Sequence, residues 1–171
     1  MEGAAEDSRF EVAAIYSRSQ DTANAFAVKH NIPYTFVSLD AMASSPLIDA
    51  VYIASPTALH SEQAILFMEH GKHVLCEKPS ASNIRELGRM IEAAKKYGVV
   101  FMEAMKSTLM PGFGAILQHL PEIGTVRRYF ASYCQYSSRY DKLKAGEVMN
   151  AFKPELSNGA TMDLGIYTIY P

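Results

Sequence analysis

Lys78 stands between Glu77 and Pro79, directly behind the apolar run His73-Val74-Leu75-Cys76. Proline fixes the backbone there and is tolerated in a first helical turn, so the ammonium projects from a stiff platform. A partly desolvated lysine so placed can hydrogen-bond a hydroxyl or lower the pKa of a neighbour. Much further along, Asp163 and Tyr167 lie four apart, and a helix there sets both on one face. Tyrosine, with a reference pKa of about 10, is a poor base near neutrality. An adjacent ammonium stabilises the phenolate and brings that value down. Lys78 brought beside Tyr167, with Asp163 orienting either group, makes an acid–base set. Taken singly, these residues read more readily as a solvated Glu-Lys pair, a core tyrosine and a surface aspartate.

Two further segments invite a ligand. Ser17-Arg18 follows the apolar stretch Phe10–Tyr16. In sheets that hold a nicotinamide dinucleotide, an acidic residue at this kind of place binds the adenosine ribose 2′-hydroxyl. A hydroxyl and a cationic fork suit a 2′-phosphate instead. That favours NADP, with NAD as the alternative, although on its own the pair reads more readily as an exposed Ser-Arg ahead of a helix. Ser55-Pro56-Thr57-Ala58-Leu59-His60 follows another apolar run, and its small residues let a ligand approach the backbone. His60 alone reads first as a capping or packing histidine.

The elements that must position these residues alternate in texture. Phe10–Tyr16, Tyr34–Val37, Ala50–Ala54, His73–Cys76 and Val99–Met102 are short apolar runs, readable as strands. Ser19–His30, His60–His70 and Asn83–Tyr97 carry helical spacing. The last is the clearest, with Asn83 and Glu86 as a capping box, Ile84, Leu87, Ile91 and Ala94 on one face, and Gly98 as the stop. Strands alternating with helices predict an α/β fold with a doubly wound parallel sheet covered on both faces. Ligands in such sheets sit at the carboxyl ends of the strands. The texture changes after about Met105. Pro111–Leu120 reads as a short helix and Val126–Tyr136 as one long aromatic-rich strand. Asp141–Ser157 reads as polar and irregular, and Gly159–Tyr170 as a helix entered through glycine. Tyr136, Arg139 and Tyr140 read more readily as surface than as pocket wall.

Totals exclude several classes. A chain of 171 residues with 49% hydrophobic and 20% charged residues is an ordinary globular composition, long enough for a sizeable core. A net charge of −2 gives no electrostatic case for nucleic acid or an anionic membrane. Cys76 and Cys134 lie far apart in apolar surroundings, without metal-ligand or disulfide spacing, which points to a reducing cytoplasm and no metal. The acidic start, Met1 to Asp7, has no apolar segment of the signal-peptide kind, and no run is long enough to span a bilayer.

Taken together and in order, these motifs resemble the Gfo/Idh/MocA family of glucose–fructose oxidoreductase and inositol dehydrogenase type, from about Phe10 to the C-terminus. Ser55 to His60 resembles the family's Thr-Pro-x-x-x-His-type turn. Glu77-Lys78-Pro79 resembles its Glu-Lys-Pro signature, and Asn158 to Tyr167 its glycine-rich Asp-x-Gly-x-His segment. Tyr167 in place of the common histidine, together with Met102-Glu103-Ala104-Met105, resembles the dihydrodiol dehydrogenase and NADP-linked xylose dehydrogenase branch.

The resemblance implies a Rossmann-type domain over residues 1–105 and the start of a second α/β domain over 106–171. It implies hydride exchange between a nicotinamide and a CH–OH carbon of a sugar, polyol or dihydrodiol, in a full-length protein that is a homo-oligomer. Lys78, Asp163 and Tyr167 are then the catalytic residues, and Ser17, Arg18, Ser55, Pro56, Thr57, His60, Glu77 and Lys78 hold the cofactor. The resemblance also places a first strand and a G-x-G-x-x-G turn ahead of Phe10, where this sequence has only Gly3, so the chain is expected to be cut at both ends. Met1 to Ala5 would be the tail of the helix after that turn. A cofactor-sensing regulator and an inactive fragment are the competing readings. A sensor has no need of Lys78, Asp163 and Tyr167 together.

Overall fold

The computed structural model describes residues 6–170. The expected helix tail at residues 1–5 lies outside them. Strands and helices alternate as β1 (Ala14–Tyr16), α1 (Gln20–His30), β2 (Tyr34–Phe36), α2 (Leu39–Ala43), β3 (Ala50–Ile53), α3 (Thr57–Glu69), β4 (His73–Cys76), α4 (Ile84–Tyr97) and β5 (Phe101–Glu103). All strand pairs are parallel, as crossovers through helices require. They form two ladders, β1-β2 and β3-β4-β5. In the second ladder Tyr52 is opposite Leu75, and Leu75 is opposite Met102.

One core serves both ladders. Val51, Ile53, Val74 and Cys76 pack against Ala64, Phe67 and Met68 of α3 and Met90 and Ala93 of α4, and Ala14, Tyr16 and Phe36 of the first ladder join the same cluster. The apolar runs had suggested strands buried on both faces. Instead β3 and β4 alternate strictly, with every second residue buried. Tyr52, Leu75 and Met102 form an exposed row on the other face. The cause is that α3 and α4 pack on the same side of this ladder.

Local chemistry sets the helix ends. The Ser19 side chain accepts from the Thr22 amide to open α1, and the Ser38 side chain accepts from the Ala41 amide to open α2, a helix the sequence reading overlooked. Asn83 accepts from the amides of Arg85 and Glu86, while the Glu86 carboxylate reaches back to the Ser82 amide. Gly98 ends α4 at φ 67°, a left-handed conformation in which a Cβ is strained. Asn83→Ala is therefore expected to cost about 1 kcal/mol of stability, seen as a lowered urea midpoint; an unchanged midpoint would remove the cap from the account. The hydrogen bond from Ser82 holds the Glu86 carboxyl below its usual range. Its contribution is accordingly present above the unfolded value and lost as pH falls through the lower folded one.

Several boundaries move. The first strand is only Ala14–Tyr16, α3 begins at Thr57 rather than His60, and β5 is Phe101–Glu103. Helix α4 starts at Ile84, so Pro79 precedes it by a loop and does not occupy its first turn. Beyond β5 come a 3₁₀ turn (Lys106–Leu109), α5 (Pro111–His119), α6 (Tyr140–Lys144) across the start of the stretch expected to be irregular, a π-helical turn (Thr161–Gly165) and α7 (Ile166–Ile169). The strand expected over Val126–Tyr136 does not form. The segment joins no ladder among the described residues, and Tyr129, Phe130 and Tyr136 are exposed. Its aromatic and β-branched composition fits a pleated surface, but a strand needs a neighbour to pair with. Tyr136 and Tyr140 meet edge to face and are both exposed.

Candidate active site

Lys78 leaves β4 at its carboxyl end, and the site is built around the turn that carries it. Glu77 N–H donates to the Ile53 carbonyl at 2.8 Å, extending the β3-β4 pairing past Cys76. The Lys78 amide donates to the Glu77 carboxylate at 3.1 Å, and Tyr52 Oη donates to the other oxygen of that carboxylate. The Ser80 amide donates to Glu103 Oε1 at 2.7 Å, tying the turn to the end of β5. The Lys78–Pro79 peptide bond is cis.

His60 closes the turn from behind. It is 1% exposed, and its Nε2 and Nδ1 lie 2.8 Å from the Ser55 carbonyl and 3.0 Å from the Pro79 carbonyl. The ring thus bridges the exits of β3 and β4, and a neutral imidazole can donate to only one of the two while an imidazolium donates to both. Both ring nitrogens thus face backbone carbonyls of the fold, the contacts of a packing histidine. Thr57, in the first turn of α3, is 6% exposed. Ser55 and Pro56 remain half-buried, with the Ser55 hydroxyl donating to Gln63 at 2.7 Å.

The structure brings Lys78, Asp163 and Tyr167 together. Lys78 Nζ donates to Asp163 Oδ1 and to the Asp163 carbonyl, both at 2.6 Å. Its side chain is largely shielded, at 12% exposure against 43% for Asp163. The same ammonium lies 4.9 Å from the centroid of the Tyr167 ring, over its face, where the ring quadrupole attracts a cation. Tyr167 in turn stacks on Tyr133, with centroids 5.4 Å apart. The sequence spacing had suggested an ammonium against the phenol oxygen. Instead the lysine's hydrogen bonds go to Asp163 and its charge faces the ring. The π-helical turn that presents Asp163 is entered through Gly159 at φ 126°, where an L side chain is strained. Asp163 N–H bonds back to the Gly159 carbonyl at 2.8 Å.

Ser17 and Arg18 follow β1. Ser17 N–H donates to the Phe36 carbonyl at 3.1 Å, which fixes the exit. The Arg18 side chain is exposed and makes no ion pair among the described residues. Cys76 is buried at the end of β4, and burial pushes its thiol up to about 12, so it is inert. Cys134 is exposed, contrary to the apolar surroundings expected for it. Among the described residues no group of three His, Cys, Asp or Glu side chains converges as a metal site, and no helix is long and apolar enough to cross a membrane. Sequence reasoning missed Tyr52 and Glu103. Tyr52 sat inside a run taken as uniformly apolar, and Glu103 lay in a segment quoted only for its resemblance.

Parallel strands alternating with helices, with polar groups gathered at a strand exit, define a Rossmann-type α/β protein. Residues 2–105 match the model of an oxidoreductase family with a NAD-binding Rossmann fold, Gfo/Idh/MocA, and the chain belongs to that family. Over 171 residues it is 61% identical to scyllo-inositol 2-dehydrogenase (NADP(+)) IolU of Bacillus subtilis, covering all of this chain and 52% of that protein. It is 32% identical over 161 residues to trans-1,2-dihydrobenzene-1,2-diol dehydrogenase of Xenopus tropicalis, covering 93% of this chain and 46% of the relative. The chain thus spans about half the length of the curated relatives it matches. Among solved structures it is similar to KijD10, a 3-ketoreductase from Actinomadura kijaniata in complex with NADP and TDP-benzene, with a TM-score of 0.67 and 28% identity over 71% of this chain and 37% of that one.

Proposed function

We propose that this chain carries the cofactor-binding residues and the proton-handling residues of an NADP-dependent dehydrogenase acting on a CH–OH group of a polyol, sugar or dihydrodiol. Residues 1–105 form its partial Rossmann domain, and residues 106–171 begin its substrate domain. The observation that carries the reading is the convergence of Lys78 with Asp163, two groups 85 positions apart in sequence, at 2.6 Å. The names of the relatives support the substrate class and the cofactor.

The residues present suit the two ends of the dinucleotide. Arg18, exposed and without an ion pair among the described residues, suits a 2′-phosphate bidentately, with the Ser17 hydroxyl beside it. At the other end, Lys78 and Glu77 edge the carboxyl ends of β3 and β4. No G-x-G-x-x-G turn lies among the described residues to hold the pyrophosphate. When bound, the nicotinamide supplies the hydride acceptor.

The chain's own residues manage the proton. An ammonium has three donors. Two of those on Lys78 are spent on Asp163, which leaves one for the substrate oxygen. That bond stabilises the charge developing on the oxygen as the C–H bond breaks. Asp163 fixes the ammonium, and the substrate hydroxyl loses its proton to Tyr167, stacked on Tyr133, which takes it up as the phenolate and becomes the phenol.

The test is NADP-dependent oxidation of scyllo-inositol, D-xylose and a dihydrodiol, read by nicotinamide absorbance alongside a fluorescence titration with NADPH and NADH. Turnover with any of the three supports the reading. Tight NADPH binding without turnover on any of them would leave the sensor in its place. Arg18→Ala is expected to weaken NADPH binding about tenfold and to leave NADH within about twofold, the pattern of one lost charge-assisted contact to phosphate. Equal losses for both nucleotides would place the 2′-phosphate elsewhere.

A further inference from the structure

We propose that Tyr52 is a positioning residue for Lys78, acting through the carboxylate of Glu77; the inference rests on the dehydrogenase reading above. Residues i and i+2 of a strand share a face. Leu75 is opposite Tyr52 in the ladder, so Glu77, two residues on, is Tyr52's diagonal neighbour on the same exposed face. A diagonal partner across a sheet is within reach of an aromatic side chain.

Tyr52 Oη donates to one oxygen of Glu77, and the other oxygen accepts from the Lys78 amide at 3.1 Å. The carboxylate is thereby held between a phenol and the lysine backbone. That arrangement directs the charge of Lys78. Glu77 adjoins Lys78 in sequence, so its carboxylate is a natural competitor of Asp163 for the ammonium. Anchored on Tyr52, it is turned to the backbone, and the ammonium bonds to Asp163 at 2.6 Å and lies over Tyr167. Without the Tyr52 hydroxyl, Glu77 loses a donor and is free to swing toward Nζ. Partial desolvation, with Glu77 as hydrogen-bond acceptor and nearby charge, holds the phenol above its ordinary value, so it remains a donor throughout the neutral range. Tyr52 lies on the face away from the core and is 55% exposed, so removing one oxygen leaves the packing intact.

The experiment compares Tyr52→Phe, Glu77→Gln and the double variant on the whole chain. The expected result for Tyr52→Phe is a fall in kcat of about tenfold, little change in KM for the polyol, and an unchanged melting temperature. The double variant is expected to be no worse than Glu77→Gln alone, because the two side chains act in series. A second readout needs no activity. In chain labelled with ¹³C at the lysine ε-carbon, Tyr52→Phe shifts the Lys78 resonance and Glu77→Gln reverses part of that shift. If the wild-type chain turns nothing over, the dehydrogenase reading fails while the Lys78 resonance still tests the linkage. An unmoved Lys78 resonance in Tyr52→Phe, or additive losses in the double variant, overturns the proposal.

Discussion

Lys78→Met is expected to lower turnover by roughly two to four decades, the range that positioned proton-handling groups contribute. NADPH binding in the same variant is expected to stay within about tenfold. Methionine keeps the length and apolar stem of lysine and removes all three donors, so the comparison isolates the ammonium. Two of those donors engage Asp163 at 2.6 Å, and the third is the one assigned to the substrate. Lys78→Arg keeps the charge but presents a planar fork in place of a compact ammonium, which does not reproduce both the bonds to Asp163 and the single bond to the substrate. It is expected to recover little of the loss. Steady-state kinetics with paired fluorescence titrations decide the matter. Equal losses in turnover and NADPH affinity would make Lys78 a binding residue only.

Phe67→Ala carries the largest expected effect on folding. Phe67 is 1% exposed in α3, inside the cluster that joins β3, β4 and α4. Its carbonyl also accepts from the amides of His70 and Lys72, closing the turn into β4. Emptying such a position costs about 3–5 kcal/mol from lost transfer energy plus the cavity left behind. Whole domains are stable by only about 5–15 kcal/mol. With a urea slope of about 1–3 kcal/mol per molar, the midpoint should fall by about 1 M or more. A drop below about 0.3 M on the same slope would mean that the helix and sheet are not packed through this ring. By contrast, the Lys78 variant should leave the midpoint near that of the parent, which separates a chemical defect from a folding one.

Much of the alternation was legible because it is written in short-range chemistry. Asn83, Glu86 and Gly98 announce the two ends of α4, and a cap needs no distant partner to act. Strand existence was legible from apolar runs, but facing was not. Ala50-Val51-Tyr52-Ile53 is apolar throughout, and only the side chosen by α3 and α4 decides that Val51 and Ile53 go in while Tyr52 comes out. Val126–Tyr136 failed for the complementary reason, since its pattern needs a pairing strand that the described residues do not provide.

At the site, the spacing of Asp163 and Tyr167 and the position of Lys78 were readable, and the structure sets the three side by side. Which atoms would bond was not readable. That depends on the path of the chain across a separation of 85 positions and on a π-helical turn with no sequence signal beyond Gly159. His60 illustrates the same limit. Its place after the Ser55-Pro56 turn was visible, but its use as a bridge between two carbonyls depends on the β4 exit lying alongside.

The ladder also bears on how firmly the lysine is held. Among the described strands β4 is bonded on both sides, by β3 and β5. Proteins open locally where fewer backbone bonds must break together. A strand bonded on both sides is therefore late to open, and Lys78, which must aim its ammonium closely, leaves from the end of one.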